Sequence, residues 1–313
     1  MAWTAEADIN RYLIDTGPLR VRDQFLPGLG YLAFDPVSAD ILDNGAWQVD
    51  VIFTASNTFA HSDEVDRLLE SRSRREAVSL EVLRDIATDG AQEGVFYLDG
   101  EHARWALALR RGIGHGLQVE LVLPVIHFGG GLLDSTIEGF HDTFSLGQAG
   151  RLGVPRNAFT AYVRAPGRET YVAVAPGTTI GDAIVGARYN LRHGHADAAL
   201  ELALEFLAKL PTGDTRSLTS SGSSDVGLQM IGTRYFRNGC LHFSIGTAHL
   251  GRHRLLGLDS QTVLSGMLAW EFGIGTNTTA LLQATVSQSP FEALRSAEIA
   301  SASTQLTVGV KHS

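Results

Sequence analysis

The sequence is poor in cysteine, in charge and in long apolar runs. One cysteine, Cys240, stands among 313 residues, so we expect neither a disulfide nor a cysteine metal site. Charged residues make up 19%, below the roughly 25% usual for soluble domains. No run of about 18 apolar residues occurs, which excludes membrane-spanning helices. The net charge of −9 argues against a nucleic-acid-binding protein, which needs a basic face.

The N-terminus, MAWTAEADIN, lacks the features of a secretory signal. It has no basic start, no apolar core and no small-residue cleavage site. We therefore expect either a cytoplasmic protein or a mature chain from which the signal was removed.

Glycine is abundant, with 34 residues against 9 prolines, and apolar residues alternate with polar ones. The stretch WALALRRGIGHGLQVELVLP, residues 105–124, has this two-residue period on both sides of a glycine-rich break, which predicts a β-hairpin. The same pattern recurs at 47–54, 182–191, 200–209, 226–233, 241–245, 264–272 and 305–311, and more weakly at 157–165, 169–175 and 278–288.

The connections between these strands are sorted by length. GIGHG, RHGHAD, RNG and GIGTNT are short turns, and the long polar connections are 59–93, 129–156, 211–224 and 289–303. Short turns that alternate with long loops are typical of outer-membrane β-barrels. We predict an all-β fold, an antiparallel transmembrane β-barrel of about 12 strands.

Charges within the strands fall on the parity opposite to the apolar residues. We call these nine residues the inner charge set: Asp50, Arg104, Glu120, Arg188, Glu201, Glu205, Lys209, Glu271 and Lys311. An Arg or Lys facing lipid near the midplane costs roughly 2–4 kcal/mol, so this face is predicted to line the lumen. Five carboxylates against four cations favour internal salt bridges over strong ion selectivity. Two exceptions, Arg111 and Arg234, lie at strand ends beside turns.

Aromatic residues on the apolar parity gather near the short turns and predict an interfacial girdle. They are Trp47, Tyr189, Phe236, Trp270 and Phe272. The alternative is a soluble barrel whose apolar face points inward, but that alternative predicts neither a girdle nor sorted loops.

Three segments resemble an uncharacterised family of bacterial outer-membrane proteins, domain-of-unknown-function family 3187. They are GPLRVRDQF (17–25), LDGEHARWALALRRGIGHGLQVELVLP (98–124) and GGGLLDSTIEGFHDTFSL (129–146). The resemblance implies a secreted precursor and an outer-membrane location, and it supplies no catalytic residues. The C-terminal QLTVGVKHS departs from outer-membrane barrels in lacking a terminal aromatic residue, so we expect a trimmed chain or an atypical insertion signal.

LLDSTIEGFHDTFSL has a helical period and predicts a short amphipathic helix in an extracellular loop. Its apolar stripe is expected to cap the barrel mouth or to pack on the rim. Its polar side carries a candidate site, Asp134, Glu138, His141 and Asp142, where Glu and His three residues apart are able to place two ligands on one face. We favour a loop helix without metal.

His242 and Ser244 lie two apart on one strand, which resembles the outer-membrane phospholipases in that respect alone. Nucleophilic catalysis needs a base beside the hydroxyl and a group that orients the base. Both residues have the inward parity, whereas that family acts on lipid from the outer wall, so polar lumen lining is the favoured interpretation. His193 and His195 are interpreted as solvated turn residues.

We therefore predict an N-terminal segment, residues 1–40, that is periplasmic or lumen-associated, and a barrel over residues 41–313. The expected function is a narrow channel or a small-solute binding and transport barrel in the bacterial outer membrane. The alternatives are a lipid-modifying hydrolase and a structural or partner-binding barrel, and the sequence favours a protein that is not an enzyme. Expected partners are outer-membrane lipid and a small solute, not nucleic acid, and we expect no cofactor and no metal.

Overall fold

The computed structural model describes residues 17–88, 93–192, 200–236, 239–274 and 277–312. Within these ranges, thirteen antiparallel strands form one sheet. They are β1 (Trp47–His61), β2 (Val95–Gly114), β3 (Leu117–Gly129), β4 (Thr160–Arg164), β5 (Tyr171–Val174), β6 (Gly177–Ile180), β7 (Ala183–Arg192), β8 (Leu200–Leu210), β9 (Asp225–Phe236), β10 (Gly239–Leu250), β11 (Gln261–Gly273), β12 (Thr278–Ser287) and β13 (Ser303–His312).

Helices are short and lie in the connections. They are α1 (Asp63–Glu70), α2 (Leu80–Thr88), α3 (Asp134–Thr143) and α4 (Ala297–Ala300), with a 3-10 helix at Leu26–Gly30. Among the described residues, no helix has the length and apolarity to cross a bilayer.

The strand order follows the chain, because most neighbours are joined as hairpins. The order is β13-β12-β11-β10-β9-β8-β7-β3-β2, and β1 pairs with β2 along its whole length. The hairpin of β4 and β5 extends the far end of β2, and β6 pairs with the end of β3. In the hairpin of β2 and β3, Leu107 lies opposite Leu123 and Leu109 opposite Leu121, so the predicted apolar rows are in register.

The two faces of the sheet differ as the alternation predicts. On β2, Trp105 and Leu107 are 42% and 37% exposed, whereas Ala106 and Ala108 are fully buried. The same contrast runs along β7 to β11, and Leu264, Leu268 and Trp270 all face outward. The apolar residues therefore lie outside, which excludes the alternative with the apolar face inward.

The interior is filled by residues 17–46, which we call the plug. Backbone N–H groups of the plug at Leu32, Ala39 and Leu42 donate to side chains of β9 and β3. The Leu19 carbonyl accepts from Gln283 of β12. One segment of the chain thus contacts strands from most of the sheet, so the sheet wraps around the plug.

The ends of the sheet, β1 and β13, are not paired with each other over the ranges described here. The plug lies inside both of them. Gln24 accepts a hydrogen bond from Thr54 of β1, and Leu19 packs on Gly309 of β13. The plug therefore bridges the two end strands from within.

The long connections form a folded loop layer at one end of the barrel, made of residues 62–88, 93–94 and 130–182. Val65 and Leu69 of α1 and Leu83 of α2 pack on Tyr97 and Tyr162 in a hydrophobic cluster of their own. A larger hydrophobic cluster joins Leu26, Leu29 and Leu32 of the plug to the strands. The end with the long loops is therefore closed by apolar packing.

The predicted fold class is confirmed in its all-β, antiparallel sheet with a short helix in a loop, and the sheet wraps around the plug without a pairing of β1 with β13 in the described ranges. The described part of the chain has thirteen strands, where about twelve were predicted, and three of them, β4 to β6, have five residues or fewer. The division of the chain at residue 40 stays a prediction.

Candidate functional site

All nine residues of the inner charge set lie on the inward side of their strands. Six of them are buried: Arg104, Arg188, Glu201, Glu205, Lys209 and Glu271. Asp50, Glu120 and Lys311 are partly buried. The structure does not gather the nine into one site; instead it distributes them over separate groups along the wall.

The first group contains Arg188 of β7 and Glu205 of β8, which lie opposite each other in the sheet. Arg188 Nη2 is 2.6 Å from Glu205 Oε1, and Gln229 of β9 donates to the other carboxylate oxygen. Both members of the pair are buried, and each charge is matched by a hydrogen-bonded partner, as a buried ion requires.

The second group centres on Lys209 at the long-loop end of β8. Its Nζ is 2.6 Å from Asp182 and 3.3 Å from Asp225, and the three side chains are 0–2% exposed. It also donates to the hydroxyl of Ser221 at 3.0 Å. One cation with two carboxylates makes this the most completely buried ion cluster described.

The third group joins the wall to the plug. Arg20 lies 2.8 Å from Glu120 of β3, 3.0 Å from Asp35 and 3.7 Å from Asp50 of β1. Arg110 of β2 also contacts Asp50. Burial alone would raise the pKa of Asp35, but the guanidinium groups of Arg20, Arg104 and Arg22 together outweigh burial and lower it. Asp35 is therefore ionised at neutral pH.

The same groups hold the backbone of the plug. Arg188 donates to the carbonyl of Ser38 at 3.1 Å, and Lys209 donates to that of Gly30 at 2.8 Å. Lys311 contacts the carbonyl of Gly17. The inward charges thus bind their own chain, which satisfies plug carbonyl groups that would otherwise be buried without donors.

A cavity of about 60 Å³ remains between the plug and the wall. Arg22 and Asp35 line it on the plug side, and Ser244, Ser265 and Thr285 line it on the side of β10 to β12. A water needs about 10–15 Å³ of such space, so the cavity has room for several water-sized groups. Its lining combines a cation, a carboxylate and small hydroxyl side chains.

A further cluster lies near the short-turn end, on β10 and β11. His242 Nε2 is 3.0 Å from Cys240 Sγ and 3.5 Å from Glu271 Oε2, and all three residues are 0–1% exposed. Thr233 of β9 contacts His242 Nδ1 at 3.0 Å. Glu271 is also bound by Lys311 and by the hydroxyl of Thr279.

His242 therefore does not act on Ser244. Its two ring nitrogens contact Thr233 and Cys240, and Ser244 instead lines the cavity. The base-to-hydroxyl contact that nucleophilic catalysis needs is not formed in this arrangement. His193 and His195 lie outside the described residues.

The predicted loop helix is α3, but its orientation is the reverse of the expected one. Asp134 and Glu138 are buried, whereas Phe140 and Phe144 are 53% and 62% exposed. The expectation that the apolar stripe caps the mouth is wrong. The physical reason is that arginines from other loops form ion pairs with the polar side of the helix. Asp134 pairs with Arg151 at 3.1 Å, and Glu138 pairs with Arg156.

Glu138 accepts hydrogen bonds from Arg75 at 2.9 Å and from Arg156 at 2.5 Å. Burial alone would raise the pKa of Glu138, but these two guanidinium groups outweigh burial and lower it. His141 instead contacts the carbonyl of Gly147, and Asp142 accepts from Gln148. The four candidate residues are thus divided between ion pairs and loop contacts.

Several residues of these groups escaped the sequence reasoning. Asp225 is the first residue of β9 and lies just outside the alternating stretch 226–233. Asp182 lay on the polar parity of the stretch 182–191 but was not included in the inner charge set. Arg20 and Asp35 lie in the plug, where no periodicity marks an inward side. Cys240 directly follows the turn RNG, and its parity with His242 was the signal that could have placed it with the inward residues.

Fold and interior together define a class: an antiparallel β-barrel with an apolar exterior, a charged interior and an N-terminal plug. Residues 77–313 match the model of the family described as protein of unknown function (DUF3187), and the chain belongs to that family. No curated protein matches it. Among solved structures, it is similar to the crystal structure of the COG4313 outer membrane channel from Pseudomonas putida F1. The two share 11% identity over 88% of this chain and 79% of the other, with a TM-score of 0.45.

Proposed function

We propose that this protein is an outer-membrane barrel that passes a small solute through a narrow polar path, and that the structure is its closed state. The observation that carries the proposal is the division of the two faces. Outward rows of Leu, Val and aromatic residues are exposed over the whole wall, while the charged residues face the plug. Soluble monomers rarely expose apolar patches above a few hundred Å², and a bilayer is the medium that accepts such a wall.

The aromatic residues support the membrane location. Trp47, Tyr189, Phe236, Trp270 and Phe272 are all exposed, 38–62%, and lie near the short-turn end of the barrel. Arg111 stacks on the ring of Trp47, 4.9 Å from its centroid, and Arg234 lies 5.4 Å from that of Phe236. Aromatic rings with adjacent cations suit the interface between acyl chains and headgroups.

We assign the path of the solute to the side of the barrel where the cavity lies, between the plug and strands β10 to β12. Ser244, Ser265 and Thr285 offer small polar groups on the wall, and the plug opposite is held by ion pairs rather than by apolar packing alone. Movement of the plug away from this wall would widen the path. The passing solute is then a small polar or charged molecule that Arg22 and Asp35 are able to contact.

Single-channel recording in planar bilayers tests the proposal. Wild-type protein should show rare, small openings, and Arg20→Gln should open more often because it removes the ties to Glu120, Asp35 and Asp50. Its openings should also shift toward cations, since Asp35, Glu120 and Asp50 each lose one positively charged neighbour. Arg104→Gln should change the conductance as well. Arg252→Gln, in an exposed loop pair, is the control and should behave as wild type.

One observation favours a second candidate, a structural barrel that does not conduct. The apolar cluster of the plug and the upper strands closes the long-loop end. If wild type and Arg20→Gln both insert as folded barrels and both stay silent, the channel proposal fails and this candidate replaces it.

A further inference from the structure

Cys240, His242 and Glu271 meet on the inner face because of strand geometry. Cys240 and His242 are two residues apart on β10 and so point to the same side. Glu271 of β11 lies directly opposite Cys240 in the register of the two strands. Three different ligand types therefore converge: the Sγ–Nε2, Nε2–Oε2 and Sγ–Oε2 distances are 3.0, 3.5 and 4.0 Å.

We propose that these three side chains bind one divalent zinc-type cation. A tetrahedral zinc has Zn–S near 2.3 Å and Zn–N and Zn–O near 2.0–2.2 Å, which places neighbouring ligand atoms about 3.3–3.6 Å apart. The three observed distances bracket that range. A shift of a few tenths of an ångström in each side chain would give the tetrahedral spacing, with a fourth position for water.

Neighbouring side chains fix which atoms face the cation. Thr233 lies opposite His242 in the sheet and contacts Nδ1, which leaves Nε2 toward the centre of the triad. Thr279 and Lys311 contact the Oε1 atom of Glu271, which leaves Oε2 toward the same centre. Partners that orient the ring and carboxylate of metal ligands are a recurrent feature of zinc sites.

The donor set selects the kind of metal. A thiolate and an imidazole favour zinc-type ions, whereas Mg²⁺ and Ca²⁺ prefer sites made of oxygen atoms. On binding, the Cys240 thiol gives its proton to solvent, and its sulfur forms the bond to the metal. The thiolate and the Glu271 carboxylate then supply two negative charges to the ion, and Lys311 stays paired with the other carboxylate oxygen. The bound ion would cross-link β10 to β11.

Cobalt(II) is the probe, because a cobalt–thiolate bond gives an intense charge-transfer absorption. The full chain is folded in detergent, titrated with Co²⁺ and then with Zn²⁺. We expect one Co²⁺ per chain, a thiolate charge-transfer band and its loss when Zn²⁺ displaces the cobalt. Since Cys240 is the sole cysteine in the sequence, this band in wild type reports on that residue alone. Absence of the band in folded wild type at micromolar Co²⁺ would overturn the proposal.

Variants separate a metal site from a buried hydrogen-bonded cluster. Cys240→Ser should abolish the band, and His242→Gln should weaken binding at least tenfold. Thr233→Val should keep the band but weaken binding by about 10–100-fold, as loss of an orienting partner does. His102→Gln is the matched control, since His102 is also a buried, inward-facing histidine of the wall, and it should bind as wild type. Equal Co²⁺ binding by wild type and Cys240→Ser would contradict the proposal.

Discussion

Lys209 is the residue on which the buried charges depend most. It is 1% exposed and forms ion pairs with both Asp182 and Asp225, which are buried as well. In Lys209→Met, two carboxylates remain in the interior without a cation, and breaking a buried ion pair costs about 3–5 kcal/mol. We expect Lys209→Met to lower the free energy of unfolding by about that amount, measured by urea unfolding in lipid vesicles.

The control for this measurement is a solvent-exposed ion pair of the same protein. Arg252 and Asp259 are 3.8 Å apart, with side chains 56% and 92% exposed. Asp259→Asn should change the stability by about 0–1 kcal/mol, as exposed pairs do. If Lys209→Met and Asp259→Asn lowered the free energy of unfolding equally, the charges around Lys209 would be as well screened by water as an exposed ion pair.

Glu138 makes the loop layer sensitive to acid. Its pKa in the folded protein lies below the ordinary value of 4.5, so the carboxylate stabilises the fold above that value. This stabilisation is lost as the pH falls through the folded pKa. We expect Glu138→Gln to melt below wild type at pH 7, and the difference between the two melting temperatures to shrink below about pH 4.5. If the difference in melting temperature stayed constant down to strongly acidic pH, Glu138 would not be the carboxylate that stabilises the loop layer.

At the scale of elements, α3 turns its apolar side away from the protein. Phe140 and Phe144 contact each other, with ring centroids 4.6 Å apart, and both are exposed. The double substitution Phe140→Ser and Phe144→Ser should therefore change the stability by no more than about 0.5 kcal/mol, as substitutions at exposed positions do. Chemical denaturation measures this change, and a loss of several kcal/mol would restore the expected packing of the stripe on the rim.

The strands were predictable because one simple rule governs them. Each strand of a two-faced sheet repeats every second residue, and the rule located β2 and β3 around the break at residues 112–116. Helices α1 and α2 were missed, and residues 59–93 were taken as a polar connection. Helices of eight and nine residues are marginal by themselves, and these two are stabilised by packing on Tyr97 and on Tyr162, which lies far along the chain.

The interior was predictable by side but not by partner. The alternation placed Arg188, Glu205 and Lys209 inward, because a strand residue faces one of two sides and the apolar residues occupy the other. It left open what they bind, because the carbonyls of Gly30 and Ser38 carry no signal in the sequence. The orientation of α3 failed for the same reason, as it depends on arginines contributed by other loops.

For the whole molecule, the property to test is whether the apolar outer face of the sheet lies in lipid or in water. Leu268 lies in mid-strand on β11 and Ile274 just beyond the strand, and they are 55% and 58% exposed. In water a lysine at either position would be harmless. In a bilayer, Leu268→Lys should cost about 2–4 kcal/mol and Ile274→Lys about 0–1 kcal/mol. Reversible folding into vesicles measures both, and equal small costs would place the wall in water.

The plug imposes an order of events on assembly. It is made before the first strand, yet Gly17 contacts Lys311 of the last strand across 294 residues of sequence. Connections in proteins rarely thread through closed structure, so the strands must wrap around a segment that is already in position. Contacts this distant in sequence also make folding slow. The segment that fills the mature interior is thus, during biogenesis, the template around which the barrel is built.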